Sequence, residues 1–213
     1  MGKGKLVKWE LMKSFSNVIE KDNQFKGNWA KSFFKNENPI VVELACGKGD
    51  YAIGMAKLFP EKNFIGIDIK GNRLVTGANT AKSEGLYNVG FLRTQIDHLE
   101  DYFEKGEISE IWITFPDPFP RKGDIKKRLT SKKFIEIYRK ILFPKTTVNL
   151  KTDSQLLYEF TKETIESERL TTIRDFPDVY KMGKNEELFG IQTYYEKMHI
   201  LDNRTIHFIS FEV

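Results

Sequence analysis

Pro39-Ile40-Val41-Val42-Glu43-Leu44-Ala45-Cys46-Gly47-Lys48-Gly49-Asp50 is the stretch whose pattern points to the architecture. The apolar, β-branched run to Leu44 stops at closely spaced glycines, as a buried strand does on entering a tight turn. Asp50 can cap a helix to about Phe59, where Pro60 ends it. The same order repeats downstream. Strands are expected at Asn63–Ile69, Val89–Thr94, Ile108–Phe115 and Thr146–Leu150, and helices at Lys70–Ser83, His98–Lys105, Thr130–Ile141 and Ser154–Ser167. Strand and helix alternate five times, which implies an α/β fold with an open, mostly parallel sheet and helices on both faces. Two alternating runs, Glu196–Leu201 and Thr205–Val213, flank Asp202-Asn203-Arg204 and predict an antiparallel hairpin at the C-terminal edge. In such sheets ligands sit beyond the carboxyl ends of the strands, near the point where strand order reverses.

The 213 residues suit one domain, expected over 39–213, preceded by a basic arm over 1–38 with one short helix at Glu20–Phe25. Hydrophobic residues at 40% and aromatics at 13% exclude a disordered chain, which lacks the apolar surface to offset chain entropy. No apolar run reaches the ~20 residues that span a bilayer. Met1-Gly2-Lys3-Gly4-Lys5-Leu6 is basic but leads into no apolar signal region. Cys46 is the single cysteine, so an internal disulfide is impossible, and His98, His199 and His207 lack ligand spacing, so no metal site is expected. The chain reads as soluble and cytoplasmic. Its net charge of +4 matters less than one cluster: Arg121, Lys122, Lys126, Lys127, Arg128, Lys132 and Lys133 face a single acid, Asp124.

The ends of the strands hold the chemistry. Gly47 and Gly49 let the main chain approach a ligand closely, and Gly47-x-Gly49-x-x-Ala52 fits a dinucleotide pattern, a weak match alone. Asp68 ends the next strand, where a carboxylate can take both hydroxyls of a ribose. Glu43 narrows the cofactor: an acid beside the turn repels a pyrophosphate and attracts an ammonium group, which favours S-adenosylmethionine over NAD. Gln95 stands where an adenine edge is read, with an amide that both donates and accepts. After the fourth expected strand comes Phe115-Pro116-Asp117-Pro118-Phe119-Pro120-Arg121-Lys122, whose alternate prolines fix φ and hold Asp117 rigidly. Lys151-Thr152-Asp153 puts another acid at the same rim, and Thr193-Tyr194-Tyr195-Glu196 can face the crevice with a hydroxyl and a carboxylate.

This combination resembles the bacterial, single-chain tRNA (guanine-N7-)-methyltransferase family from about residue 40 to the C-terminus. The acid–glycine turn is shared by many methyltransferases. The proline signature with Lys151-Thr152-Asp153 and Thr193-x-x-Glu196 is specific to the family. The resemblance implies a Rossmann-like class I methyltransferase fold and methyl transfer from S-adenosylmethionine to a guanosine N7 of the tRNA variable loop. It implies cofactor contacts at Glu43, Asp68, Gln95 and Asp117, with Asp117 catalytic, beside Gly47 and Gly49, which the turn itself makes cofactor-binding candidates. Substrate contacts fall on Arg121, Asp153, Thr193 and Glu196, and RNA contacts on the stretch 123–128 with Lys126, Lys127 and Arg128, to which the charge cluster adds Lys122, with tRNA as partner and a homodimer left open beside a monomer. The sequence departs from the family pattern at Ala45, Gln95 and Phe119. Gly123-Asp124-Ile125 also replaces a stretch usually rich in Arg and His.

Guanine N7 carries a lone pair and no proton, so its methylation needs no general base, and placement supplies most of the catalysis. A carboxylate such as Asp117 favours the charge developing on the ring. Guanine N1–H and N2–H₂ call for acceptors, which Glu196 and Asp153 can supply, and adenine lacks that donor pair. RNA affinity rests on phosphate contacts from the basic run and from Lys3, Lys5 and Lys8. An NAD-dependent oxidoreductase, a methyltransferase of a non-RNA substrate and a catalytically silent RNA-binding module are the alternatives.

Overall fold

A computed structural model describes residues 14–20, 22–182 and 187–213 of the chain. Strand β2 (Ile40–Leu44) is buried along its whole length. Ile40, Val42 and Leu44 join one apolar cluster and Val41 the other, the period-two division of a strand covered on both faces. β3 (Asn63–Ile67) repeats this, with Ile65 and Ile67 on the first side and Phe64 on the second. Around them stand β1 (Val18–Glu20), β4 (Val89–Arg93), β5 (Ile108–Thr114), β6 (Thr147–Thr152), β7 (Thr171–Phe176) and β8 (His207–Glu212), in the spatial order β1-β4-β3-β2-β5-β6-β8-β7. All neighbours pair in parallel except β6 with β8 and β7 with β8. Strand order reverses between β2 and β5, so the ligand crevice belongs at their carboxyl ends.

Helices α1 (Asp50–Leu58) and α2 (Gly71–Ser83) contribute buried residues to the cluster holding Phe64 and Trp112. The short α3 (Leu99–Tyr102) with α4 (Lys132–Ile141) and α5 (Gln155–Ser167) covers the opposite face. Ser154 caps α5 as a side-chain acceptor for Leu157 N–H. α4 begins after Ser131 rather than at Thr130, and Gly49, not Asp50, is the residue before α1.

Two expected elements are corrected. The short helix at Glu20–Phe25 does not form: Glu20 closes a strand parallel to β4, and a turn leads to one turn of π-helix, Trp29–Phe34. Trp29 is 1% exposed, packs against Phe25 and Phe33 and stacks on Phe103, so this segment is anchored by aromatic packing rather than by a regular α-helix. The antiparallel edge is present, but Glu196–Leu201 is not its first strand. Those residues belong to helix α8 (Tyr194–Leu201), and the partner of β8 is β7, which carries Thr171, Thr172 and Ile173 exposed on the sheet edge. An edge strand needs no apolar alternation, which is why β7 does not show as one in sequence. Between β7 and β8 lie α6 (Val179–Met182), α7 (Glu187–Gly190) and α8. No helix among the described residues is long and apolar enough to cross a membrane.

Candidate active site

The glycine turn links β2 to α1 in a conformation with Ala45, Gly47 and Gly49 at φ of 56°, 59° and 74°. Gly47 faces open space where a Cβ would project, whereas a Cβ on Gly49 would lie 2.4 Å from the Phe91 ring. Gly47 therefore leaves open space beside the main chain, and Gly49 is glycine for packing. The turn's N–H groups are largely occupied. Cys46 N–H donates to Ile67 O at 3.0 Å and Gly49 N–H to Cys46 O at 2.8 Å. Gly47 N–H donates to Asp68 Oδ2 at 3.0 Å and Ala52 N–H to Glu43 Oε2 at 2.9 Å.

Glu43 is 1% exposed and lies beneath the turn, not on its surface. Its Oε1 accepts from the Thr114 hydroxyl at 2.6 Å, which ties the end of β5 to the end of β2. Burial pushes its carboxyl up to about 8, against the opposing pull of the Thr114 and Ala52 hydrogen bonds. Asp68, just past β3, is held by N–H groups on both oxygens: Gly47 on Oδ2, and Lys70 on Oδ1 at 2.7 Å. A carboxylate fixed this way keeps lone pairs for further donors.

A cavity of about 420 Å³ opens beside it, lined by Asp68, Gln95 and Asp117 with apolar Ile96, Leu129 and Phe134. Three of the expected cofactor residues thus meet around one space. A smaller cavity of about 110 Å³ adjoins it, with Ala45, Arg73 and Phe115 common to both, and contains Gly47, Asp50, Thr193, Tyr194 and Tyr195. Glu43 and Gly49 line neither.

The proline turn is as stiff as its sequence implies. Phe115 and Phe119 take φ of 47° and 44°, left-handed values that side chains rarely adopt, on either side of Asp117. Asp117 is exposed to the cavity and its Oδ1 accepts Phe119 N–H at 3.0 Å. Arg128 corrects an expectation. Its guanidinium is not on the RNA-facing surface: the residue is 5% exposed, donates to Pro118 O at 3.1 Å and Phe119 O at 3.0 Å, and stacks over Phe160. Arg128 pins the turn. Arg121, Lys122, Lys126 and Lys127 are exposed around a 3₁₀ turn (Lys122–Lys127), with Lys127 paired to Asp124 at 2.7 Å. Lys3, Lys5 and Lys8 lie outside the described residues.

On the far rim, Asp153 Oδ2 accepts from Arg204 at 2.8 Å and faces His199 Nε2 at 3.6 Å. Its Oδ1 has no partner among the described residues. Thr193 caps α8, accepting Glu196 N–H at 3.1 Å, so Thr193-x-x-Glu196 forms half of a capping box. The other half goes elsewhere. Glu196 is fully buried and meets fully buried Lys151 at 2.7 Å and the Tyr180 hydroxyl at 2.6 Å, both through Oε1. Its Oε2 is buried without a hydrogen-bond partner among the described residues. The expectation that Glu196 faces the crevice is therefore corrected: in this conformation its carboxylate anchors α8 to β6. Burial pulls the Lys151 ammonium below the usual lysine range in spite of Glu196. A lysine at the end of an apolar strand was the available signal, because such a charge requires a buried partner.

Comparison with known proteins follows the same lines. Residues 37–209 match a family described as "Putative methyltransferase". The chain is 44% identical to a tRNA (guanine-N(7)-)-methyltransferase of Bacteroides fragilis, over 99% of this chain and 86% of that protein. It is 43% identical to the tRNA (guanine-N(7)-)-methyltransferase of Christiangramia forsetii, over 99% of this chain and 98% of that one. Among solved structures, the 16S rRNA methyltransferase KamB superposes with a TM-score of 0.66 at 12% identity, over 92% of this chain and 98% of its own, a likeness of fold.

Proposed function

We propose that this chain, which belongs to the tRNA (guanine-N(7)-)-methyltransferase family, transfers a methyl group from S-adenosylmethionine to N7 of a guanosine in tRNA, in the cytoplasm. The observation that carries the reading is the state of the glycine turn. The N–H groups of Gly47, Gly49 and Ala52, which would cradle a pyrophosphate, are already bonded, one to the Asp68 carboxylate and one to the buried Glu43 carboxyl. The bonded turn leaves few donors for a pyrophosphate, which disfavours NAD, and Asp50, Asp68 and Asp117 on the cavity walls suit a cationic cofactor.

The residues present fit that cofactor. Asp68 has acceptor capacity left for a ribose, the space at Gly47 admits a ligand, and Gln95 with Ile96, Leu129 and Phe134 gives a polar edge and apolar faces for a purine. Bound there, S-adenosylmethionine supplies an electrophilic methyl group. Everything else is done by the chain. Asp68 and Gln95 hold the nucleoside, and Glu43 shapes the turn from beneath. Asp117, fixed between two left-handed residues, faces the purine and stabilises its positive charge as it develops. No residue needs to remove a proton from N7, which has none. Asp153 accepts from guanine N–H through Oδ1, while Arg204 holds its other oxygen. Thr193 sets the start of α8 over the smaller cavity. Arg121, Lys122, Lys126 and Lys127 take RNA phosphates, so affinity falls with salt.

Incubation with labelled S-adenosylmethionine and unmodified tRNA, followed by nucleoside analysis, tests this. N7-methylguanosine is the expected product; label on another nucleoside, or none on tRNA, overturns the proposal.

A further inference from the structure

The cofactor carries an anion as well as cations: its amino-acid end bears a carboxylate. The structure assigns that carboxylate to Arg73. This rests on the cofactor reading above and extends it to a residue outside every motif considered so far.

Among the described residues, few groups at the crevice are placed to take a carboxylate. Backbone donors of the turn are occupied at Cys46, Gly47, Gly49 and Ala52. The cations lining the two cavities are Lys48, Lys70, Arg73, Lys127 and Lys133. Lys127 is paired with Asp124 and Lys133 with Asp97. Lys48 sits over the Tyr194 ring at 4.8 Å, and Lys70 is an exposed residue lining only the larger cavity. Arg73 remains: it lines both cavities, is half-buried, and has no carboxylate partner. It stands in the first turn of α2, whose preceding loop begins at Asp68. A nucleoside held by Asp68 therefore has its amino-acid end directed along the seam between the cavities, where this guanidinium waits. A planar guanidinium binds a carboxylate through paired N–H groups.

Calorimetric titration with two nucleosides separates this role from others. S-adenosylhomocysteine has the carboxylate; 5′-methylthioadenosine lacks the amino-acid end. Arg73→Ala is expected to weaken S-adenosylhomocysteine by about tenfold or more while leaving methylthioadenosine within about twofold, as loss of one charge-assisted contact predicts. Arg73→Lys restores part of the loss, and thermal midpoints of the variants confirm that they are folded. If Arg73→Ala binds both nucleosides as the wild type does, the assignment is overturned; a drop in tRNA affinity with a shallower salt dependence would then give the guanidinium to an RNA phosphate. Equal weakening of both nucleosides also overturns it. Wild-type protein that binds neither nucleoside sinks the cofactor reading itself, a result distinct from failure at Arg73 alone.

Discussion

Glu43 and Asp117 are both acids at strand ends, yet their surroundings give them opposite tasks. Glu43 is desolvated, and its carboxyl rises from 4.5 to about 8. The folded state therefore keeps a proton that the unfolded chain loses near 4.5. The stability linked to this group is full below about pH 4.5 and is lost as pH rises through about 8. Glu43→Gln removes the titration. Urea midpoints between pH 5 and 9 should show the wild type losing roughly a few kcal/mol relative to the variant. Parallel curves would mean that Glu43 titrates alike in both states. Asp117 is open to the cavity, and its Asx contact to Phe119 N–H survives as an amide. Asp117→Asn should fold normally and reduce kcat by about 10²–10³, the usual loss of one electrostatic contact in a transition state. An unchanged kcat would remove Asp117 from the charge-stabilising role.

The segment from Phe115 to Arg128 behaves as one element although it contains no regular strand. Its prolines set φ at alternate positions, its two phenylalanines take left-handed values, and Arg128 ties it from below. The neighbouring lysines are solvated, with Lys127 reaching over the Phe119 ring at 5.8 Å. Two classes of variant should separate. Arg128→Met should cost about 1–3 kcal/mol of stability and impair catalysis, because the carbonyls of Pro118 and Phe119 lose their donor. Lys122, Lys126 and Lys127 changed together to Ala should leave stability within about 0.5 kcal/mol. That triple variant should flatten the salt dependence of tRNA binding by about 0.7–0.9 per lost phosphate contact. Filter binding across a salt series decides it: an unchanged slope would place the RNA elsewhere.

Across the whole molecule, the excursion between β7 and β8 returns to the sheet through a few polar ties. Lys151 meets Glu196, Asp50 Oδ2 accepts Tyr194 N–H at 3.0 Å, and Asp153 meets Arg204. The first is a fully buried ion pair, in which removal of one partner leaves a charge without water. Glu196→Ala should cost about 3–5 kcal/mol, and Lys151→Met combined with Glu196→Met should recover most of it. Lost methylation in Glu196→Ala would thus report on the seating of α8. A double variant with native stability that still fails to capture guanosine would return Glu196 to direct substrate contact.

Local pattern was enough for the order of strands and helices from Ile40 to Ser167, since turn glycines, prolines and apolar periods are properties of neighbours along the chain. It also located Asp68, Gln95 and Asp117 at strand ends, and these three do converge on one cavity. Periodicity was silent on β7, because an edge strand with a solvated face needs no apolar repeat, and on the arm, whose Trp29 donates its hydrogen bonds to Glu107 and Tyr102, far along the chain. Burial was the other matter beyond its reach. Glu43, Arg128 and Glu196 look in sequence like groups awaiting a ligand, and in the folded chain each is already engaged by the protein. Whether a charge meets a guest or a neighbour depends on which elements packing brings against it, and that contact has no signature in local order.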